Sequence, residues 1–292
     1  GERALGMAGA FVGVSDDATA VVWNPAGLVA GGPAGMTIGW NQLQVGKSAG
    51  PIRAGARRQR ASLTSLGTWP MGVSYGTVDV AEVSRSGAEL GVFRLSQVGL
   101  TVLQSVMPGL VVGSTMRLMR GGQSSGLVGG PTLGDALSSA RDLNVSRHTV
   151  FDLDVAAMAS SPKLRIGVIL KNLRSPQFDR NAETPSPLPR QARVGLALLP
   201  TDGVTLAIDV DLNTVDLTGG LRQECAIGGE TALGSRLSVR SGLRWSLKGA
   251  RELTGTVGAS LKVRRSLWLD GHYGLARHDE AREGGVALRA GF

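Results

Sequence analysis

The stretch "VTLAIDVDL", residues 204–212, puts Val204, Leu206, Ile208, Val210 and Leu212 on one side of an extended chain and Thr205, Ala207, Asp209 and Asp211 on the other. Successive side chains of a strand point in opposite directions, so alternation with period two marks a strand whose faces meet different surroundings. One face here is oily and the other carries carboxylates. Residues 164–173 repeat the pattern, with Leu164, Ile166, Val168 and Leu170 against Arg165, Gly167 and Lys171. In residues 237–247, Leu237, Val239, Leu243, Trp245 and Leu247 oppose Ser238, Arg240, Gly242, Arg244 and Ser246. Residues 150–158 set Phe151, Leu153, Val155 and Ala157 against Asp152 and Asp154.

Working outward, such segments predict strands near 35–45, 60–67, 71–81, 95–107, 110–119, 148–160 and 164–174. More follow near 190–199, 203–213, 221–231, 236–247, 251–263, 266–276 and 285–292. That makes about fourteen, an even number, each close to the ten residues that a tilted membrane strand needs. After the second, fourth, sixth and eighth come short connections around Thr68-Trp69-Pro70, Pro108-Gly109, Ser161-Pro162-Lys163 and Pro200-Thr201-Asp202-Gly203. These are turn formers, since proline presets its φ and glycine accepts a positive one. Longer pieces, 46–59, 82–94, 120–147 and 175–189, follow the first, third, fifth and seventh. Short and long connections alternate in membrane barrels. The alternation weakens at Lys248-Gly249-Ala250, which is short where a long loop is due. The closing "GGVALRAGF", residues 284–292, ends an alternating strand on Phe292, which resembles the signal read by the bacterial outer-membrane assembly machinery.

Composition narrows the class. The 292 residues show no linker and read as one barrel preceded by a short segment. No apolar run approaches the roughly 20 residues of a spanning helix. The mean hydropathy of +0.07 excludes a helical membrane protein but suits a barrel that hides half of each strand from lipid. A soluble barrel, the rival, would bury the oily face and turn its charges to water. Residues 194–199 and 253–261 would then leave a surface of Gly, Ala and Thr. The net charge of +8 is spread along the chain, with only two Tyr and five Phe, so no nucleic-acid surface is expected. The single cysteine, Cys225, forms no internal disulfide, and His148, His272 and His278 have no ligand spacing, so no metal is expected. There is no Gly-x-Ser-x-Gly and no phosphate loop, so the reading is not an enzyme and takes no cofactor.

Before the first strand lies "ALGMAGAFVGVSDDATAVVWNPAGL", residues 4–28, small and apolar but broken by Asp16 and Asp17. It lacks the single apolar block of a secretory signal and reads as the start of a processed chain. Either carboxylate suits the N-cap of a short helix ending near Trp23, which Pro25 stops. Residues 1–34 are therefore expected to pack inside the lumen as a plug, with 35–292 as the barrel.

The run "RALGMAGAFVGVSDDATAVVWNPAGL", residues 3–28, resembles the N-terminal signature of the superfamily that includes FadL-type fatty-acid transporters and PorV-type proteins of type IX secretion. Asp16, Asp17, Trp23, Asn24, Pro25 and Ala26 carry the likeness, with weaker echoes in "IGVILKNL" at 166–173 and "LPRQARVGLAL" at 188–198. The resemblance implies a fourteen-stranded outer-membrane barrel plugged by its N-terminal segment, with both termini periplasmic. It implies passage of hydrophobic or amphipathic small molecules by plug movement and lateral exit at a kinked strand, for which Gly-rich 71–76 is the candidate. Its other branch implies a closed barrel serving as adaptor or structural component for an envelope or secreted protein. Fatty-acid carriers are longer, with apolar capture loops; 120–147 here holds scattered leucines only.

Lumen-facing candidates are Asp152, Asp154, Arg165, Lys171, Arg193, Asp209, Asp211, Arg240 and Arg244, with Arg117, Arg222, Glu224, Glu230, Lys262, Asp270, His272 and Arg289 on the same face. Their mixed signs predict an ion-pair network across the lumen; the alternative is that some line a path or hold a polar head group. In the first long loop, Arg53, Arg57 and Arg58, with Lys47 and Arg60, form a basic run, which reads as a solvated loop or, on this side of the barrel, as a place to meet lipopolysaccharide phosphates. Trp40, Trp69, Tyr75, Trp245 and Trp268 suit an aromatic girdle facing outer-membrane lipids.

Overall fold

The computed structural model describes residues 1–292 except 48, 49, 53, 85, 131, 179–187, 218, 219, 250, 251 and 278–280, so Arg53, Ala250 and His278 lie outside the described residues. The alternating segments become β1 (Ala34–Val45), β2 (Arg57–Thr68), β3 (Met71–Val83), β4 (Glu89–Met107), β5 (Leu110–Leu127), β6 (His148–Ser160) and β7 (Leu164–Lys171). They continue as β8 (Gln191–Leu198), β9 (Val204–Asp211), β10 (Val215–Leu217), β11 (Gly220–Leu233), β12 (Leu237–Lys248), β13 (Leu253–Arg264), β14 (Leu267–Ala276) and β15 (Arg282–Gly291). Each pairs antiparallel with its neighbour. β15 joins β1, with Thr37 opposite Arg289, and β11 joins β9, with Ile227 opposite Ile208, so the wall closes. Three-residue β10 pairs with β11 alone, and the remaining fourteen strands are the barrel.

The oily face is outside. Leu206, Ile208 and Leu212 are 50%, 39% and 57% exposed, whereas Asp209 between them is 1% exposed. A wall with leucine outward and carboxylates inward is stable only where lipid covers it, since apolar area left in water costs about 25 cal/mol per Å². This is a transmembrane barrel, not a soluble one. Trp40, Trp69, Tyr75 and Tyr273 stand exposed on the same outer surface. Among the described residues, no helix is long and apolar enough to cross a membrane.

Strand ends differ from the sequence reading mainly at the long-loop end. β4 and β5 reach back to Glu89 and on to Leu127, and β3 runs to Val83, so most of the expected loop 82–94 is strand. Cross-strand hydrogen bonds extend a hairpin past the point where apolar alternation fades. Arg57 and Arg58 accordingly begin β2 instead of lying in a loop. The glycine-rich 71–76 is no kink: β3 pairs without a register shift on both sides, and shifts fall instead at Gln223/Glu224, Ser105/Met107 and Lys262/Arg264.

The loop after β5 carries a helix, α3 (Leu133–Ser139), started by a capping box of Thr132 and Asp135. Leu133, Leu137 and Leu143 pack on Ala81, Val83, Leu90 and Val92. Those strand residues share parity with the outward Tyr75 and Val98, so the helix covers the outer face of the tall hairpin. The opposite wall is low, with eight residues in each of β7, β8 and β9. After Lys171 the chain turns inward through Asn172 and Ser175 at φ 55 and 47, the left-handed region that asparagine tolerates better than most residues.

Candidate functional site in the lumen

The lumen is filled in layers that start from the N-terminal segment. Its elements are α1 (Glu2–Gly6), α2 (Ala20–Trp23) and a 3-10 helix (Pro25–Ala30). Asn24 joins the last two: its carboxamide oxygen accepts from Ala26 N at 3.1 Å, and its Nδ2 donates to Val12 O at 2.9 Å. Pro25 ends α2 as expected. Asp17 caps less directly than expected, accepting from Thr19 N at 2.9 Å and Thr19 Oγ1 at 2.6 Å one residue before the helix. Met7, Ala10, Phe11 and Val14 pack on Ala197, Ala207 and Ala226 of the wall, and Val12, Val21 and Leu28 on Leu103, Val111, Met158 and Ile169.

Backbone meets backbone on the inner wall at glycines. A Cβ at Gly228 would stand 2.6 Å from Met7 O, and one at Gly113 2.7 Å from Ala26 N. These strand glycines, which weaken a strand in general, are the wall's footprint for the segment.

Polar contacts tie the same segment to the strands. Asp209 Oδ2 accepts from Phe11 N and Val12 N, both at 2.9 Å. Arg3 pairs with Glu230 at 2.7 Å and with Asp16, and Arg165 donates to Val14 O at 3.2 Å and to Asp16 at 3.3 Å. Glu230 also faces Arg240 at 3.1 Å. Lys171 Nζ lies 5.8 Å from the Trp23 ring centre, and Trp23 stacks edge-on against Phe11. His272 Nδ1 is 2.7 Å from Glu2 Oε2 in a fully buried pair. Asp211 takes Arg193 at 2.6 Å, and Arg244 bridges Glu224 at 3.3 Å and Glu283 at 3.2 Å.

Asp152 and Asp154 belong to a separate layer. Arg117 Nη2 donates to Asp152, to Asp154 at 2.8 Å and to Asn172 at 2.6 Å, and Nη1 reaches Gln97 at 3.4 Å. Asn172 N and Arg174 N donate to the same two carboxylates, at 2.9 and 3.2 Å. Along the inner face of β4, Leu103 touches the N-terminal layer, Thr101 reaches it through Thr115, whose hydroxyl donates to Val21 O, Gln97 meets this polar layer, and Leu95 and Phe93 a third, apolar layer above it. There Leu95, Met119 and Phe178 are buried with Val78, Val150 and Leu188, and Phe178 meets Phe93 edge-on at 5.7 Å. At the short-turn end a cavity of about 320 Å³ opens beside Asp16, Asp17, Trp268, Arg289 and Phe292.

All nine lumen candidates therefore line the interior, seven around the N-terminal layer and two in the Arg117 layer. Glu2, Arg3 and the Phe93–Phe178 layer escaped the sequence reading. Arg3 had a visible signal as the one cation in residues 1–28; Phe178 had none, since a lone aromatic in a polar loop announces no partner.

Fold and site define a class: a transmembrane antiparallel β-barrel whose interior holds its own N-terminal segment. The solved structures that share this fold include a CymD monoaromatic hydrocarbon channel (TM-score 0.70, 12% identity, 100% of this chain and 97% of that one). A Pseudomonas aeruginosa FadL homologue matches at TM-score 0.67 and 10% identity over 99% and 97%, and the Pseudomonas putida toluene transporter TodX at 0.64 and 9% over 98% of each. The resemblance to the FadL superfamily holds at the level of fold. No curated protein matches the sequence. The family described as "F plasmid transfer operon, TraF, protein" matches residues 45–211, more than half of the chain, and the chain belongs to that family.

Proposed function

We propose that the protein is an outer-membrane barrel that passes small hydrophobic or amphipathic molecules, with residues 1–34 as the plug of a 35–292 barrel. The observation that carries this reading is an apolar layer around Phe93 and Phe178 at the long-loop end of a fold shared with hydrocarbon channels. Short turns and both chain ends would face the periplasm, following the loop asymmetry of such barrels. A ligand entering from the long-loop side replaces Phe178 against Leu95 and Met119. It next meets the Arg117 layer, where Asn172 is bonded, and then the N-terminal segment, so passage requires both to shift.

The test is uptake of labelled toluene by cells whose outer membrane carries the barrel. Saturable uptake above control membranes is expected, with a several-fold higher half-saturation for Phe178→Ala. Uptake equal to the control overturns the reading. A second reading, as a barrel component of a plasmid-transfer apparatus, is favoured by the family description and the filled lumen. Loss of plasmid transfer on deletion, with no toluene uptake, would select it.

A further inference from the structure

We propose that the outer face of β2–β4, just beyond the apolar belt, binds the phosphate of a lipid A-type head group from the surrounding membrane. Strand register builds the site. Arg60, Asp79 and Arg94 form one cross-strand rung on the outward face, and Arg58 stands one rung further out opposite Ala81. α3 closes over them, because Arg94 donates to Ala140 O at 2.9 Å, Arg141 O at 3.1 Å and Leu143 O at 3.2 Å beyond its C-terminal end. This draws Arg141 to the same spot. The result is a cavity of about 130 Å³ lined by Arg58, Arg60, Asp79, Arg94, Leu137 and Arg141.

Four guanidiniums around so small a space repel one another, and the one carboxylate among the lining residues is a weak counterweight. Asp79 is 4.0 Å from Arg94 Nε, and its side chain is 60% exposed. Arg58 Nη1 reaches Ser138 Oγ at 3.5 Å, while its buried Nε has no hydrogen-bond partner among the described residues. Arg60 spends one donor on Gln42 Oε1 at 3.1 Å. An arginine cluster with donors in hand is matched by phosphate oxygens, which accept paired N–H groups.

Position selects a lipid over a free anion. On the same face, two rungs toward the membrane from Arg60 and Arg94, stand Thr64, Tyr75 and Val98, and then Leu66, Val73 and Leu100. Two rungs on strands tilted about 40° amount to roughly 10 Å along the membrane normal. That is head-group height above the first apolar rung, so acyl chains of a lipid held by the arginines lie along exposed Tyr75, Val98 and Leu100.

The test is native mass spectrometry of the full chain in detergent with added bis-phosphorylated lipid A. Dephosphorylated lipid A and inorganic phosphate serve as separate arms. The expected result is a retained lipid A adduct, at least tenfold weaker with dephosphorylated lipid and with Arg58→Gln/Arg60→Gln/Arg141→Gln. Arg94 is left intact because it holds α3, and Arg141→Gln alone, at an exposed loop position, covers the case in which the triple variant does not fold. Equal adducts from both lipids, or an adduct indifferent to these substitutions, overturns the proposal. Inorganic phosphate that competes away the lipid at equal concentration also overturns it, by making the site one for free anions.

Discussion

At the scale of single residues, the N-terminal segment is held by charge that burial alone would suppress. Burial raises the pKa of Asp17, but Arg3, Arg289 and the amide and hydroxyl of Thr19 outweigh it and hold the carboxyl below its usual range. A group whose folded value is depressed contributes stability above its unfolded value, near pH 4, and loses it as pH falls through the folded value. Hydrogen exchange of residues 1–30, corrected for intrinsic rates, should show the segment protected at pH 7 and progressively opened below about pH 4. Asp17→Asn should open it already at pH 7 and flatten that dependence; an unchanged profile would remove Asp17 from this role. Asp16 and Asp17 were conspicuous in the sequence because a carboxylate pair in an apolar run needs a partner. That Arg3 is the partner depends on how residues 1–17 coil, which no spacing rule states.

At the scale of elements, α3 shows how a polar-looking loop becomes structured. "PTLGDALSS", residues 131–139, reads as a loop with scattered leucines, yet its capping box forms and its two leucines, with Leu143 beyond, find an apolar surface on the tall hairpin. Truncating a buried leucine in such a cluster costs about 2–5 kcal/mol. Leu137→Ala is therefore expected to raise hydrogen exchange across 132–145 and leave β7–β9 unchanged. A global loss of barrel stability instead would mean that the helix supports the wall and does not merely cover it. The hairpin itself was half legible. Alternation located β4 and β5 where lipid demands it, but beyond the membrane the outward residues meet a helix, and the pattern there is set by that contact.

At the scale of the whole molecule, closure rests on β9 meeting β11, where Cys225 stands opposite Val210. Directly opposed residues of antiparallel strands lie about 4.5–5.5 Å apart at Cα, within disulfide range. Val210→Cys should form a disulfide with Cys225 under mild oxidation, and the unfolded, non-reduced chain should then run as a compact species on a denaturing gel. Failure to cross-link, with a control pair across β8–β9 succeeding, would refute the register of the seam.

The strand count, the inward and outward faces and the short-turn end are legible from residue order alone, because lipid and lumen impose opposite polarities on successive residues and that demand is local. Residue order also marks the N-terminal segment as something to be packed away. Which charges meet depends on the closed fold, because a partner in a barrel can stand more than two hundred residues away, as Arg3 and Glu230 do. The same holds for the apolar layer at Phe93 and Phe178 and for the arginine pocket under α3. Each joins strand residues to residues of a distant connection, which meet only because the closed wall brings that connection to their height.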